Sequence, residues 1–251
     1  MKIQICSDLH LEFSSNRKWL KEHPLQPDGD ILLIAGDSYY LNRDYKKLDF
    51  IKKAADQFDQ VFLIPGNHEY YEGFDVATAL HPFEFSIFDN VTILNNQAVE
   101  MGGVKFIFST FWSLIKENIG PIMYGMVDFK RIQYKGEKLG IDHYNSLHQA
   151  AFEFVSNEID DTKSNIVISH HLPSIHCNSE EFLGSPLNEA FCVEKTDFIE
   201  ANPIDYWIYG HSHRNLPEFS LGGTKMLTNQ FGYVAWEEHQ FFKYDRVIEV
   251  G

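Results

Sequence analysis

Short apolar runs alternate with helically spaced segments along the first part of the chain. Ile3–Cys6, Ile31–Ala35 and Val61–Ile64 have the length and composition of strands. Between the second and third, Leu48, Ile51, Ala54, Ala55 and Phe58 recur at helix spacing. That strand-helix-strand order predicts a parallel pair joined by a right-handed crossover. Helix-like spacing from Val76 to Phe88 leads into a strand at Val91–Leu94. Gln97–Glu100, the Gly102-Gly103 turn and Lys105–Ser109 then predict a hairpin.

Between residues 116 and 142 the period is lost, and Gly120-Pro121, Gly125, Gly136 and Gly140 punctuate aromatics and methionines. A partial cap or irregular insert is expected there, a kind of segment that is often functional. Helical spacing resumes at Tyr144, Leu147, Ala151, Phe154, Val155 and Ile159. Ile166–Ser169 and Tyr206–Tyr209 read as buried strands with a helix near Asn188–Glu200 between them, and Thr224–Thr228, Gly232–Trp236 and Phe241–Val250 as further strands. No repeat or linker interrupts this pattern. The expectation is one α/β domain with mixed sheets over residues 1–251.

Composition narrows the partners. A formal net charge of −15 argues against nucleic acid, whose backbone is gripped by Lys and Arg. It leaves room for a small phosphorylated substrate, since bound cations reverse the sign locally. Cys6, Cys177 and Cys192 share no metal-type spacing and read as reduced thiols in a cytoplasmic protein. No run is long enough for a signal h-region or a membrane span.

Five polar clusters follow the predicted strands in order: Asp8-Leu9-His10, Gly36-Asp37, Gly66-Asn67-His68-Glu69, His170-His171 and Gly210-His211-Ser212-His213. Each alone is ordinary. An Asp-x-His or Gly-Asp is an everyday turn, and a histidine after a buried strand is often a core residue. Together they bring carboxylates, an amide oxygen and imidazoles to one end of neighbouring strands, where open α/β sheets place their ligands. Two divalent metal ions account most simply for the set. Asn67 can give its carbonyl oxygen while His68, pointing the other way, stays free to donate a proton. His211 and His213, at alternate positions, can reach two adjacent cations. With no thiolate in the set, the donors suit Mn²⁺, Fe, Zn²⁺, Co²⁺ or Ni²⁺ without choosing among them, and Mn²⁺ is the expectation.

These motifs, from Asp8 to His213, resemble the five ordered motifs of the calcineurin-like metallophosphoesterases, of the small bacterial and phage type. The resemblance implies a four-layer α/β/β/α sandwich, two mixed sheets flanked by helices, with a dinuclear metal centre at the strand ends. It assigns Asp8, His10, Asp37 and His213 to one metal. Asp37, Asn67, His170 and His211 go to the other, with Asp37 bridging. His68 matches the family's non-ligand catalytic histidine. His171, beside the matched ligand His170, would sit near the substrate, and Asp128 and His176 are candidate substrate contacts from the insert and the loop past the fourth motif. One departure narrows the reading: protein Ser/Thr phosphatases carry Asp-Arg-Gly soon after the second motif, where this chain has Ser38-Tyr39-Tyr40.

The expectation is a metal-dependent phosphodiesterase acting on a small or nucleotide-like diester. Two cations about 3.5–4 Å apart would hold a bridging hydroxide for in-line attack. A phosphomonoesterase with the same centre is the alternative enzyme, and a non-catalytic scaffold retaining the fold is the alternative from another class.

Overall fold

The computed structural model describes residues 1–250. The chain begins β1 (Lys2–Cys6), α1 (Ser14–Glu22), β2 (Ile31–Ala35), α2 (Asp49–Gln57) and β3 (Gln60–Ile64). It continues through β4 (Phe83–Phe88), β5 (Val91–Asn95), β6 (Gln97–Met101) and β7 (Val104–Phe108). Then come α3 (Ile119–Gly125), α4 (Asp128–Arg131), β8 (Gln133–Tyr134), β9 (Glu137–Lys138) and α5 (Ile141–Glu158). The last third holds β10 (Ser164–Ile168), α6 (Thr196–Ala201), β11 (Tyr206–Tyr209), β12 (Phe219–Leu221), β13 (Thr224–Thr228) and β14 (Val247–Glu249).

Two six-stranded sheets result, ordered β14-β1-β2-β3-β5-β4 and β12-β13-β11-β10-β7-β6. Their inner strands are parallel and their edge strands antiparallel, so both sheets are mixed. β2 shows why they stack. It is Ile-Leu-Leu-Ile-Ala and buried at every position, as a parallel strand covered on both faces must be. Alternation sends Ile31, Leu33 and Ala35 into the core between the sheets, where they meet Ile5, Phe106 and Ile168. Leu32 and Ile34 face outward and pack with Leu20 of α1 and Ile51 of α2. On the far side Ile107, Val167 and Trp207 pack with Val155 of α5 and Ile199 of α6. These are the expected four layers: helix, sheet, sheet, helix.

Three local expectations change. Val76–Phe88 is not one helix but a 3₁₀ turn at Val76–Leu80 followed by β4. Pro82 lacks an N–H and disfavours the helical conformation at His81, and Phe83–Phe88 pairs antiparallel with β5 instead. The helix near Asn188–Glu200 is divided because Leu172 pairs with Cys192, which holds that stretch extended before α6. Beyond β13, among the described residues, only Val247–Glu249 is a strand; Val234–Trp236 and Glu238–Phe241 are 3₁₀ turns folded over the polar motifs. Helix α1 carries no sequence expectation, since it is short and only Asn16 and Leu20 of its residues are buried.

The 116–142 segment, expected as a partial cap or irregular insert, carries short regular elements of its own. It forms α3, α4 and the β8–β9 hairpin, and Ile122, Phe129, Ile132 and Leu139 pack with Tyr144 and Leu147 of α5 and with Tyr70 and Trp112. The polar motifs all follow the C-terminal ends of parallel strands: β1, β2 and β3 in one sheet, β10 and β11 in the other.

Candidate metal centre

Backbone strain concentrates where the motifs leave their strands. Nine non-glycine residues among those described have positive φ, and five of them are Asp8 (55°), His10 (45°), Asp37 (53°), His211 (76°) and His213 (53°). Such conformations cost on the order of 1–3 kcal/mol each and persist only when surrounding bonds impose them. Here they do: Asp8 N donates to Gly36 O at 3.0 Å, His10 N to Asp37 O at 2.8 Å and Gly232 N to Asp8 O at 3.0 Å. His211 N donates to the Asp8 carboxylate, 3.0 Å from Oδ1. These turns swing the side chains back over the sheet ends. Gly66 clears room for them, since a Cβ there would lie 2.2 Å from Asp37 Oδ1 and 2.6 Å from His170 Nε2.

Beside a third group of His10, Glu12 and His68, two groups of ligand atoms converge, each within 4.8 Å: Asp8, His10, Asp37 and His213 in one, Asp37, His170 and His211 in the other. Asp37 belongs to both. In the first, His213 Nε2 lies 3.4 Å from Asp8 Oδ1 and His10 Nε2 lies 3.7 Å from Asp37 Oδ2. In the second, His170 Nε2 is 3.3 Å from Asp37 Oδ1, 3.1 Å from His211 Nδ1 and 3.2 Å from Asn67 Oδ1.

The hydrogen-bond network assigns the tautomers. His10 Nδ1 donates to Glu12 Oε1 at 2.9 Å, His213 Nδ1 to Glu238 Oε2 at 2.7 Å and His170 Nδ1 to Ala35 O at 2.8 Å. Each Nε2 therefore faces inward, free to give its lone pair to a metal once any proton on it is displaced, the arrangement in which outer carboxylates and carbonyls orient metal-bound imidazoles. Likewise Asn67 Nδ2 donates to Asp128 Oδ1 at 2.8 Å and Tyr71 Oη at 3.0 Å, which leaves Oδ1 facing the cluster. His10 Nε2 and His213 Nε2 stand only 2.9 Å apart. Two facing lone pairs at that distance repel unless a proton or a cation lies between them, so the donor set fits a pair of divalent ions.

Charge is correspondingly crowded. Burial lowers the pKa of His213, but hydrogen bonds to Asp8 and Glu238 outweigh it and raise it to about 10. His170 is raised to about 9 against its burial, through Asp37. Asp37 is held well below the usual carboxylate range, since His170 and His68 overcome the effect of burial. Burial lowers His10 and, well below the ordinary value, His211.

His68 lies beside both groups. Its Nδ1 donates to Glu12 Oε1 at 2.9 Å, while Nε2 is 3.9 Å from Asp37 Oδ2 and 3.3 Å from Tyr233 Oη. Its side chain is 14% exposed and that of His213 11%, against 0% for His10 and His170, so this edge is the mouth.

The expected substrate contacts are placed differently from one another. His171 is buried, with Nε2 3.2 Å from Tyr144 Oη and its ring 4.2 Å from that of His211. Asp128 is fully buried behind Asn67, accepting from it and from Tyr71. His176 is exposed on the turn Ile175–Cys177. Sequence reasoning missed Glu12, Glu238 and Tyr233. Glu12 carried a signal, because it continues the alternate spacing of Asp8 and His10; Glu238 and Tyr233 arrive from distant turns and carried none.

Comparison with known proteins shows the family and the fold. The calcineurin-like phosphoesterase family matches residues 1–215. Uncharacterized protein L509 of Acanthamoeba polyphaga mimivirus is 29% identical over 271 residues, covering 96% of this chain and 94% of that protein. Phosphopantetheinyl hydrolase (PptH) from Mycobacterium tuberculosis shares the fold, with a TM-score of 0.64 at 16% identity over 98% of this chain and 95% of that one. A dimetal phosphatase from Danio rerio has a TM-score of 0.47 at 12% identity over 92% and 87% of the two chains. The chain belongs to the calcineurin-like phosphoesterases and is a metal-dependent hydrolase of phosphoric esters.

Proposed function

We propose that this enzyme is a phosphodiesterase for a small or nucleotide-like diester, with Asp8, His10, Asp37 and His213 holding one divalent ion and Asp37, Asn67, His170 and His211 the other. When bound, such a pair polarises the phosphoryl oxygens and activates water near neutral pH. Oxygen and imidazole donors without thiolate suit Mn²⁺, Fe, Zn²⁺, Co²⁺ or Ni²⁺ alike, and of these we take Mn²⁺ as the ion to assay first.

The observation that carries the reading is the setting of His68. Glu12 anchors Nδ1 and stabilises the imidazolium, so Nε2, open at the mouth and close to the shared Asp37, holds a proton for the departing ester oxygen. The preference for a diester rests on charge. Arg131 is bound to Glu72 at 2.7 Å, and Arg214 is paired with Glu181 and Glu238. Neither guanidinium is free to neutralise the second negative charge of a monoester. Asp128 acts in this reading through Asn67, by turning its carbonyl inward, and His171 supports the His211 ring.

Hydrolysis of bis(p-nitrophenyl) phosphate and of p-nitrophenyl phosphate by chelator-stripped protein resupplied with Mn²⁺ tests this. The diester should give the higher kcat/KM by at least about tenfold, equivalent to roughly 1.4 kcal/mol of transition-state stabilisation. The reverse order would make the enzyme a monoesterase. Inertness towards both, with both ions bound, would favour the scaffold. A phosphopantetheinyl ester, the substrate class in the name of the Mycobacterium tuberculosis hydrolase, is a further compound to assay.

A further inference from the structure

A cavity of about 330 Å³ lies between α1 and α2, away from the metal ligands, none of which lines it. Its floor is apolar, formed by Leu11, Leu20, Leu25, Leu48 and Phe58, all buried in the helix-sheet core. Around it stand Arg17, Lys18, Lys21, Lys47 and Lys53, and Asp49 is the one carboxylate in the lining. The whole chain has 21 Lys and Arg against 36 Asp and Glu, so the cavity inverts the charge balance of the molecule. Lys21 shares Asp49 at 3.7 Å and Lys47 pairs with Asp44 at 3.7 Å. Lys18 and Lys53 are exposed and make no ion pair among the described residues.

We propose that this cavity binds a small amphipathic anion, its apolar body on the leucines and Phe58 and its acidic head among the cations. The volume is at the lower end of the range of about 300–1,000 Å³ found for small-molecule sites. Exposed ion pairs are individually weak, so the cations select the charge while apolar contact with the floor and with the lysine stems adds to the hold. A concave site of this size takes one molecule rather than a membrane surface.

Isothermal titration of 1-decanesulfonate, below its micelle concentration, into the full chain tests the proposal; a sulfonate is a poor ligand for divalent ions and so avoids the metal centre. Saturable one-to-one binding is expected, weakened on the order of tenfold in the Lys18→Glu/Lys53→Glu variant and for neutral 1-decanol. An unchanged thermal midpoint certifies the variant; should the reversals disturb folding, Lys18→Ala/Lys53→Ala replaces them with a smaller loss in the same direction. Absence of binding, undiminished binding in the folded variant, equal binding of 1-decanol, or equal binding of inorganic sulfate would each overturn it. So would cosedimentation with phosphatidylglycerol vesicles in place of binding the monomer.

Discussion

Glu12 Oε1 lies 2.9 Å from Nδ1 of His68 and also 2.9 Å from Nδ1 of His10. One carboxylate oxygen thus orients a metal-facing imidazole and the histidine at the mouth of the site. Replacing His68 with Ala should slow turnover by about 10²–10⁴-fold while both ions stay bound. Glu12→Gln, which keeps the shape and removes the charge, should cost about 10–100-fold. Elemental analysis alongside the rates checks both; loss of metal from His68→Ala would show it to be a ligand instead.

Asp37 is common to both ligand groups, with Oδ1 near His170 and Oδ2 near His10. Asp37→Asn should therefore weaken the two ions together. Metal content after dialysis against a fixed free Mn²⁺ concentration should fall for both, and a variant that retains one ion at full affinity would place the bridge elsewhere.

Gly66 has room for a hydrogen only, because a methyl group there would lie 2.2 Å from Asp37 Oδ1 and 2.6 Å from His170 Nε2. Gly66→Ala should lower metal affinity on the order of tenfold or more, through displacement of those two ligands. Gly120→Ala is the matched control, since nothing lies within 4 Å of the added carbon and the residue is in α3. Equal metal binding by the two variants would remove Gly66 from the centre.

Metal binding should release protons. In the metal-free protein His170 and His213 are raised to about 9 and about 10, above the ordinary value of 6.5, so both are protonated at neutral pH. Ions must displace those protons, and affinity should rise between about pH 6.5 and 8.5, by up to tenfold per pH unit for each proton released. The metal-free fold behaves oppositely. A raised histidine pKa stabilises it fully below about 6.5, and that contribution is lost as pH climbs through about 9 to 10. Calorimetric titration of Mn²⁺ in buffers of different ionisation enthalpy counts the protons. A pH-independent affinity would contradict the assignment of these two imidazoles.

Much of the architecture was legible because burial dictates pattern. Ile31–Ala35 appears as a strand at its predicted bounds, and Tyr206–Tyr209 likewise, since continuous apolar runs of that length serve a parallel strand covered on both faces. Where the pattern was ambiguous, tertiary pairing decided. The apolar spacing of Phe83–Phe88 suits a helix or a strand, and the free edge of β5 resolved it. Likewise the segment after Gln230 followed the needs of the site, with Glu238 accepting from Tyr233 N at 2.8 Å and from His213 at 2.7 Å.

By itself the sequence determined the order of the strands' polar exits and the kinds of donor they carry, because covalent spacing ties Asp8 to His10 and His211 to His213. Only the tertiary structure decided which atoms meet. Asp8 and His213 stand 3.4 Å apart across 205 positions of chain, and Glu238 turns His213 from a turn that no local pattern announces. Orientation of an imidazole depends on what its far nitrogen bonds to, and that partner is supplied by packing between distant segments.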